Sequence, residues 1–177
     1  KAGASVYHPH YQIMALPMIP PDVGRSLKGS QQYYNKHKKC VHCTILGWER
    51  KEKKRIIYET KNVIAFIPYI SREPFEARIF PKKHSSYFED ASSKIVEEVS
   101  HALRLVLQRM GRRLKDPDYN FFIHSAPTHR RDKFAHYHWH IEVLPKMSVY
   151  AGFELGTGIE VTVVDPDDAA RLLKIKK

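Results

Sequence analysis

Two stretches of the sequence nearly repeat each other: His8-Pro9-His10-Tyr11-Gln12-Ile13-Met14-Ala15-Leu16-Pro17 and His136-Tyr137-His138-Trp139-His140-Ile141-Glu142-Val143-Leu144-Pro145. Each places histidine at alternate positions and then runs into an apolar tail closed by proline at the same offset. In an extended strand successive side chains point to opposite faces, so His8, His10 and Gln12 share one face and His136, His138 and His140 share another. A row of imidazoles is poor core filler, because every ring needs hydrogen-bond partners or a metal. The repetition predicts two copies of a strand built to carry chemistry.

The two copies sit differently in the chain. The first is met almost at once, whereas the second follows roughly a hundred residues of patterned sequence. Residues 1–20 are therefore read as the last strand of a truncated first half carrying the first histidine row; Pro17, Pro20 and Pro21 break regular structure and mark the entry to a linker, residues 21–37, and residues 38–177 are read as a complete second domain.

Thirty Lys and Arg against 19 Asp and Glu give a formal charge of +11, which suits anionic partners such as nucleotides and sugar phosphates. The basic clusters are interleaved with acids, as in Arg50-Lys51-Glu52-Lys53-Lys54-Arg55; a solvated surface explains them, and a nucleic-acid partner is not expected. No apolar run approaches the roughly 20 residues of a membrane helix, so no membrane partner is expected either. The two cysteines stand three apart in Cys40-Val41-His42-Cys43, a spacing that argues for metal rather than a structural disulfide and fits a reducing cytoplasm. His42, between them, is expected to be exposed.

Periodicity places the elements. Residues 24–34 could form a short helix, and a charged, hairpin-like region follows the cysteines. Residues 55–59, 62–68 and 75–81 are rich in Ile, Val and Phe between turn residues and predict three consecutive antiparallel strands. Ile95, Val99, Ala102, Leu103, Val106, Leu107 and Met110 recur at three and four, giving a long amphipathic helix that ends near Gly111. Residues 118–124, 135–144 and 159–164 predict further strands, and residues 166–173 open with proline and acids like a helix start. The expected class is α+β, with a mainly antiparallel sheet and one long helix packed on it.

Gly3-Ala4-Ser5-Val6-Tyr7-His8-Pro9-His10-Tyr11-Gln12 resembles the active-site signature of the galactose-1-phosphate uridylyltransferases, a branch of the histidine-triad superfamily built from two tandem triad-type halves. Asn62-Val63-Ile64-Ala65-Phe66-Ile67-Pro68-Tyr69, Pro74-Phe75-Glu76, Pro81-Lys82-Lys83-His84, His124-Ser125-Ala126-Pro127 and Ala151-Gly152-Phe153-Glu154 are similar in order and type to that family's second half. The resemblance implies a cytoplasmic nucleotidyltransferase that works by ping-pong transfer between a UDP-sugar and a hexose 1-phosphate. Two alternatives stand beside it: a related ADP-glucose phosphorylase, and a non-catalytic triad-type module that binds a nucleotide or a nucleic-acid end.

Carried over by that resemblance, His10 is the nucleophile that forms the nucleotidyl-histidine intermediate, and Ser5 and Gln12 contact the nucleotide phosphates. Neutral imidazole can attack phosphorus and leave again near pH 7. A glutamine amide can donate to a phosphate oxygen but cannot shuttle a proton, which favours transfer over hydrolysis. The family's sugar contacts come from the second half across a dimer interface, which implies a homodimer and points to Phe153 and Glu154. Cys40, Cys43, His84 and His136 are expected to form a Cys2His2 zinc site that clips the cysteine segment onto the sheet, and His8 occupies the place of a zinc ligand in the family's first half. Bacterial relatives bind iron through a carboxylate and histidines. Here the matching carboxylate position falls near Ser26 and Glu142 stands where a histidine would be, so zinc is expected rather than iron. His138 would be the nucleophile only if the second copy were itself active.

Overall fold

A computed structural model of the chain describes residue 8, residues 10–14 and residues 16–175; the expected phosphate contact Ser5 lies outside the described residues. Pro21 opens a helix instead of breaking one. Its fixed φ and missing N–H suit a first helical position, and α1 runs Pro21–His37 without interruption, taking in the region expected to be a linker with a short helix. His37, expected in a loop, is in its last turn. Leu27 fastens α1 to Tyr87, Ala126 and Tyr137. The cysteine segment leads not into a hairpin but into a second helix, α2 (Val41–Glu52), whose buried positions are His42, Leu46 and Glu49. Two of those three are polar, which is why apolar periodicity did not reveal the helix.

Five strands follow the expected pattern: β1 (Ile56–Glu59), β2 (Val63–Phe66), β3 (Ala77–Pro81), β4 (Tyr119–His124) and β5 (His140–Pro145). They form one antiparallel sheet in the order β1-β2-β3-β5-β4. The long helix α3 (Ser93–Arg113) starts at Ser92, whose side chain accepts from the Ile95 N–H, and buries Val99, Ala102, Val106 and Met110. These pack on Val63, Ala65, Ala77, Ile79, Ile141 and Val143 of the sheet, and α5 (Pro166–Leu173) adds Ala169, Ala170 and Leu173 to the same core. The opposite face of β2 and β3 is covered by Leu46 of α2 over Ile64, Phe66 and Phe80. Because both faces are covered, all four residues of β2 are buried and its sequence reads as a continuous apolar run.

Three strand expectations change. Residues 10–14 carry no strand; a strand needs a neighbour to pair with, and none pairs with them among the described residues. The second histidine strand begins only at His140, because Tyr137 N–H closes a turn onto the Phe134 carbonyl at 2.9 Å and keeps residues 135–139 out of the ladder. Residues 159–164 have the alternation of a strand, but Ile159, Val161 and Val163 lie exposed and residues 158–164 are irregular. A short helix, α4 (Gly152–Thr157), was not expected.

Candidate functional site

The alternation of β3, β5 and β4 separates chemistry from core. Ala77, Ile79, Ile141 and Val143 face α3, so Arg78, Phe80, His140, Glu142 and His124 face the other way. Arg78 stands opposite Glu142, and His124 opposite His140, in register. Arg78 Nη2 lies 2.8 Å from one Glu142 oxygen, and His124 Nε2 lies 3.0 Å from the other. Burial alone would raise the Glu142 pKa; the His124 hydrogen bond and the Arg78 charge outweigh it and bring the group down to about 2. The His140 ring stacks between Phe80, at 4.5 Å, and His124, at 4.9 Å. His42 packs on this layer, 5.1 Å from His140. It is buried rather than exposed as expected, and burial holds its pKa at about 4. His124, His140 and Glu142 could together offer a metal three ligand atoms, but both Glu142 oxygens already hold partners.

A second group lies at the start of α2. Cys40 is the N-cap and Cys43 stands in the first turn, so both sulfurs emerge on one side of the helix end. Trp139 N–H donates to the Ser85 carbonyl at 2.9 Å, and Ser86 Oγ donates to the Tyr137 carbonyl at 3.1 Å. These two bonds stitch residues 84–86 to residues 137–139 and bring His84 and His138 to a ring separation of 5.0 Å. Cys40, Cys43, His84 and His138 present ligand atoms that all lie within 4.8 Å of one another. The member expected from the sequence was His136, and the structure does not bring it there. In the turn at 134–137 its ring moves out of the extended alternation and is buried toward α1, 6.1 Å from the Tyr34 ring, where burial lowers its pKa. His136 and His138 are two residues apart in sequence, and only the turn decides which reaches the sulfurs; no signal in the sequence distinguishes them.

The donor set fits a tetrahedral zinc ion, whose bonds of about 2.3 Å to sulfur and 2.0 Å to nitrogen place ligand atoms between 3 and 4 Å apart. Cys43 Sγ lies 3.3 Å from His84 Nδ1 and 3.5 Å from His138 Nδ1. The far nitrogen of His84 lies 2.9 Å from the Ala135 carbonyl and must donate there, which leaves the Nδ1 lone pair free toward the sulfurs. The hydrogen bond with Cys43 outweighs burial and lowers the Cys40 thiol pKa, while the Cys43 thiol is pushed up by Cys40 and by burial. An open cavity of about 770 Å³ borders Cys40, Cys43 and His84.

The described residues of the first repeat are exposed. His8 and His10 have ring centroids 6.2 Å apart, and Gln12 is also exposed. His10 Nδ1 lies 3.2 Å from the His8 carbonyl; donation there places the imidazole lone pair on Nε2. Tyr11 sets its ring edge against Phe121 of β4 at 5.7 Å. Phe153 is exposed on α4, and Glu154 accepts from the Ala151 N–H at 3.1 Å and borders a charged cleft of about 510 Å³. Sequence reasoning missed Arg72 and Glu160, which line that cleft, and the neighbouring Glu73, although Glu76 and Arg78, charges at alternate positions of an apolar strand region, signalled a polar sheet face.

A five-stranded antiparallel sheet crossed by one long helix, with histidines entering β5, defines a histidine-triad-type domain. Comparison with known proteins agrees: residues 49–148 match the family described as HIT domain, and the chain belongs to that family. It is 36% identical over 174 residues to ADP-glucose phosphorylase from Arabidopsis thaliana, covering 98% of this chain and 48% of that protein. It is 31% identical over 182 residues to galactose-1-phosphate uridylyltransferase from Thermotoga maritima, covering 98% of this chain and 56% of that one. A crystal structure of ADP-glucose phosphorylase from Arabidopsis thaliana with bound ADP-glucose superposes with a TM-score of 0.79 at 33% identity, over 92% of this chain and 51% of that one. The chain thus spans about half the length of the curated relatives it matches. Among the described residues no helix is long and apolar enough to cross a membrane.

Proposed function

We propose that this chain is the nucleophile-bearing part of a nucleotidyltransferase that moves a nucleoside monophosphate from a nucleotide-sugar to a phosphorylated acceptor. The observation that carries the reading is the 36% identity to ADP-glucose phosphorylase over 98% of the chain, a span that includes His8-Pro9-His10-Tyr11-Gln12. His10 Nε2 attacks the α-phosphorus of the nucleotide-sugar; the N–P bond forms as the P–O bond to the sugar 1-phosphate breaks. An acceptor phosphate oxygen then attacks the same phosphorus and the N–P bond breaks. Phosphoryl transfer is mostly positioning and charge stabilisation, so Ser5 and Gln12 serve as neutral donors to the phosphate oxygens, and Phe153 and Glu154 serve the sugar.

The donor is UDP-glucose, with galactose 1-phosphate as acceptor, in the primary reading. ADP-glucose is the second reading, favoured by the somewhat higher identity to the plant phosphorylase. Residues 1–20 act as the last strand of a second triad-type unit, which their likeness to the β5 region supports, and the working protein is a cytoplasmic homodimer. Zinc held by Cys40, Cys43, His84 and His138 would supply a structural clip between α2 and the sheet, with no part in bond breaking.

The test is covalent labelling with α-phosphate-labelled UDP-glucose and, separately, ADP-glucose. An acid-labile, alkali-stable label on the wild type that is lost in His10→Asn supports the reading, and the donor that labels identifies the base. Label that persists in His10→Asn overturns it.

A further inference from the structure

The chain between β5 and α5, residues 146–164, carries Phe153 and Glu154 yet has little burial to hold it. Val149 and Val163 are more than four-fifths exposed, and Leu155 and Ile159 are exposed as well. Apolar packing therefore does not fix where Glu154 stands. Polar contacts to two adjacent residues do. Glu73, 5% exposed, accepts from Ser148 Oγ at 2.6 Å on one carboxylate oxygen and from Lys146 Nζ at 3.3 Å on the other. Arg72 reaches the far limb with a forked contact, Nε at 2.9 Å and Nη2 at 3.0 Å from the two oxygens of Glu160. Tyr150 closes the bracket by donating its hydroxyl to Glu160 at 3.0 Å. Gly158, with φ of 67°, makes the left-handed turn at the end of α4 that returns the chain to Glu160.

The bracket is rooted in the core. Arg72 N–H donates to Glu76 Oε2 at 2.5 Å, and Glu76, fully buried, accepts from Arg78 Nε at 2.7 Å. Phe75 holds a left-handed backbone, φ 66°, while its side chain packs against the main core; a bulky residue is rarely found there, and the surrounding contacts impose it. Residues 72–76 are thus a rigid turn, and the turn presents one carboxylate and one guanidinium to the two limbs of the 146–160 segment. A planar guanidinium fork sets direction as well as distance.

We propose that Arg72 and Glu73 are positioning residues that hold the 146–160 segment so that Phe153 and Glu154 are presented to the sugar of the substrate. The proposal rests on the reading of Phe153 and Glu154 as sugar contacts. It assigns neither residue a bond-making role. Arg72 and Glu73 act through Glu160, Ser148 and Lys146.

The test uses the full protein with Arg72→Ala, Arg72→Lys, Glu73→Gln, Glu160→Ala and the Arg72→Ala/Glu160→Ala double variant. Steady-state kinetics with glucose 1-phosphate and galactose 1-phosphate should show KM raised about tenfold in Arg72→Ala with kcat within about threefold of wild type, the signature of lost uniform binding. Arg72→Lys, which keeps the charge but not the fork, should recover part of the loss. The double variant should be no worse than the worse single, because both remove one contact. Amide hydrogen exchange should quicken in residues 148–160 and stay unchanged in α3. Unchanged exchange in that segment removes the bracket itself. Quickened exchange with unchanged KM, additive losses, or kcat falling together with KM and thermal stability removes the positioning role. Each of these is distinguishable from failure of the transferase reading, which is read from the absence of a His10 adduct in the wild type.

Discussion

The Nε2–H of His84 donates to the carbonyl oxygen of Ala135 at 2.9 Å. That bond selects the ring tautomer and aims Nδ1 at the cysteine pair, the outer support that metal-bound histidines ordinarily have. Ala135 stands at the start of the same turn that sends His136 toward α1 and leaves His138 to reach Cys43. One turn therefore both orients one member of the candidate metal-binding group and chooses another.

Removal of ligands follows from that choice. His138→Ala and Cys40→Ser should each lose about one equivalent of zinc by elemental analysis and lower the melting temperature, since metal affinity in such a site is folding free energy. His136→Ala should keep its zinc. Retention of metal in His138→Ala with loss in His136→Ala would restore the assignment expected from spacing. Because the cavity beside Cys40, Cys43 and His84 is open, a strong chelator should strip the wild type without denaturant.

Five of the strands, the long helix and the separation of core from chemistry were legible because they follow from period. Val99, Ala102, Val106 and Met110 repeat at three and four, and Ile141 and Val143 alternate with His140 and Glu142. What failed was decided by single turns or by tertiary contact. Pro21 reads as a breaker until the chain is seen to enter a helix at that residue. The burial of His42 against Phe80, Tyr137 and His140 depends on where α2 docks, which periodicity does not encode. Cys40, Cys43 and His84 could be picked from residue type and the family likeness, but His138 could not be told from His136 without the turn at 134–137. The Arg72–Glu160 contact joins residues 88 apart, a distance over which local pattern says nothing.

His42 makes the fold sensitive to mild acid. Burial holds its pKa at about 4, against about 6.5 in an unfolded chain. Between those values the unfolded state binds the proton and the folded state does not, so stability is full above pH 6.5 and falls as pH drops toward 4. The loss from this group amounts to roughly 3 kcal/mol. His140, fully buried and also shifted down by burial, adds to it in the same direction. His42→Phe, which also removes a buried Nε2 without a hydrogen-bond partner, should flatten the stability profile between pH 6.5 and 4. Urea midpoints measured across that range check it: equal slopes in wild type and variant would show that His42 titrates normally.

Gln12 should decide how long a nucleotidyl-His10 adduct survives. Gln12 and His140 occupy matching places in the two repeats, and the difference between them is protonic. An amide N–H can donate to a phosphate oxygen and steady the adduct, but it has no lone pair basic enough to take a proton from water. A histidine at the same place could do so, converting a waiting intermediate into a hydrolysed one. The wild-type adduct, formed from labelled nucleotide-sugar, should therefore outlast Gln12→His by about a hundredfold or more when no acceptor is present, the lower end of what one general base contributes. On adding hexose 1-phosphate both should discharge quickly, because the acceptor phosphate is already an anion and needs no base. Rapid decay of the wild-type adduct in water, at a rate like that with acceptor, would make the protein a hydrolase and leave the glutamine without a chemical reason to be there.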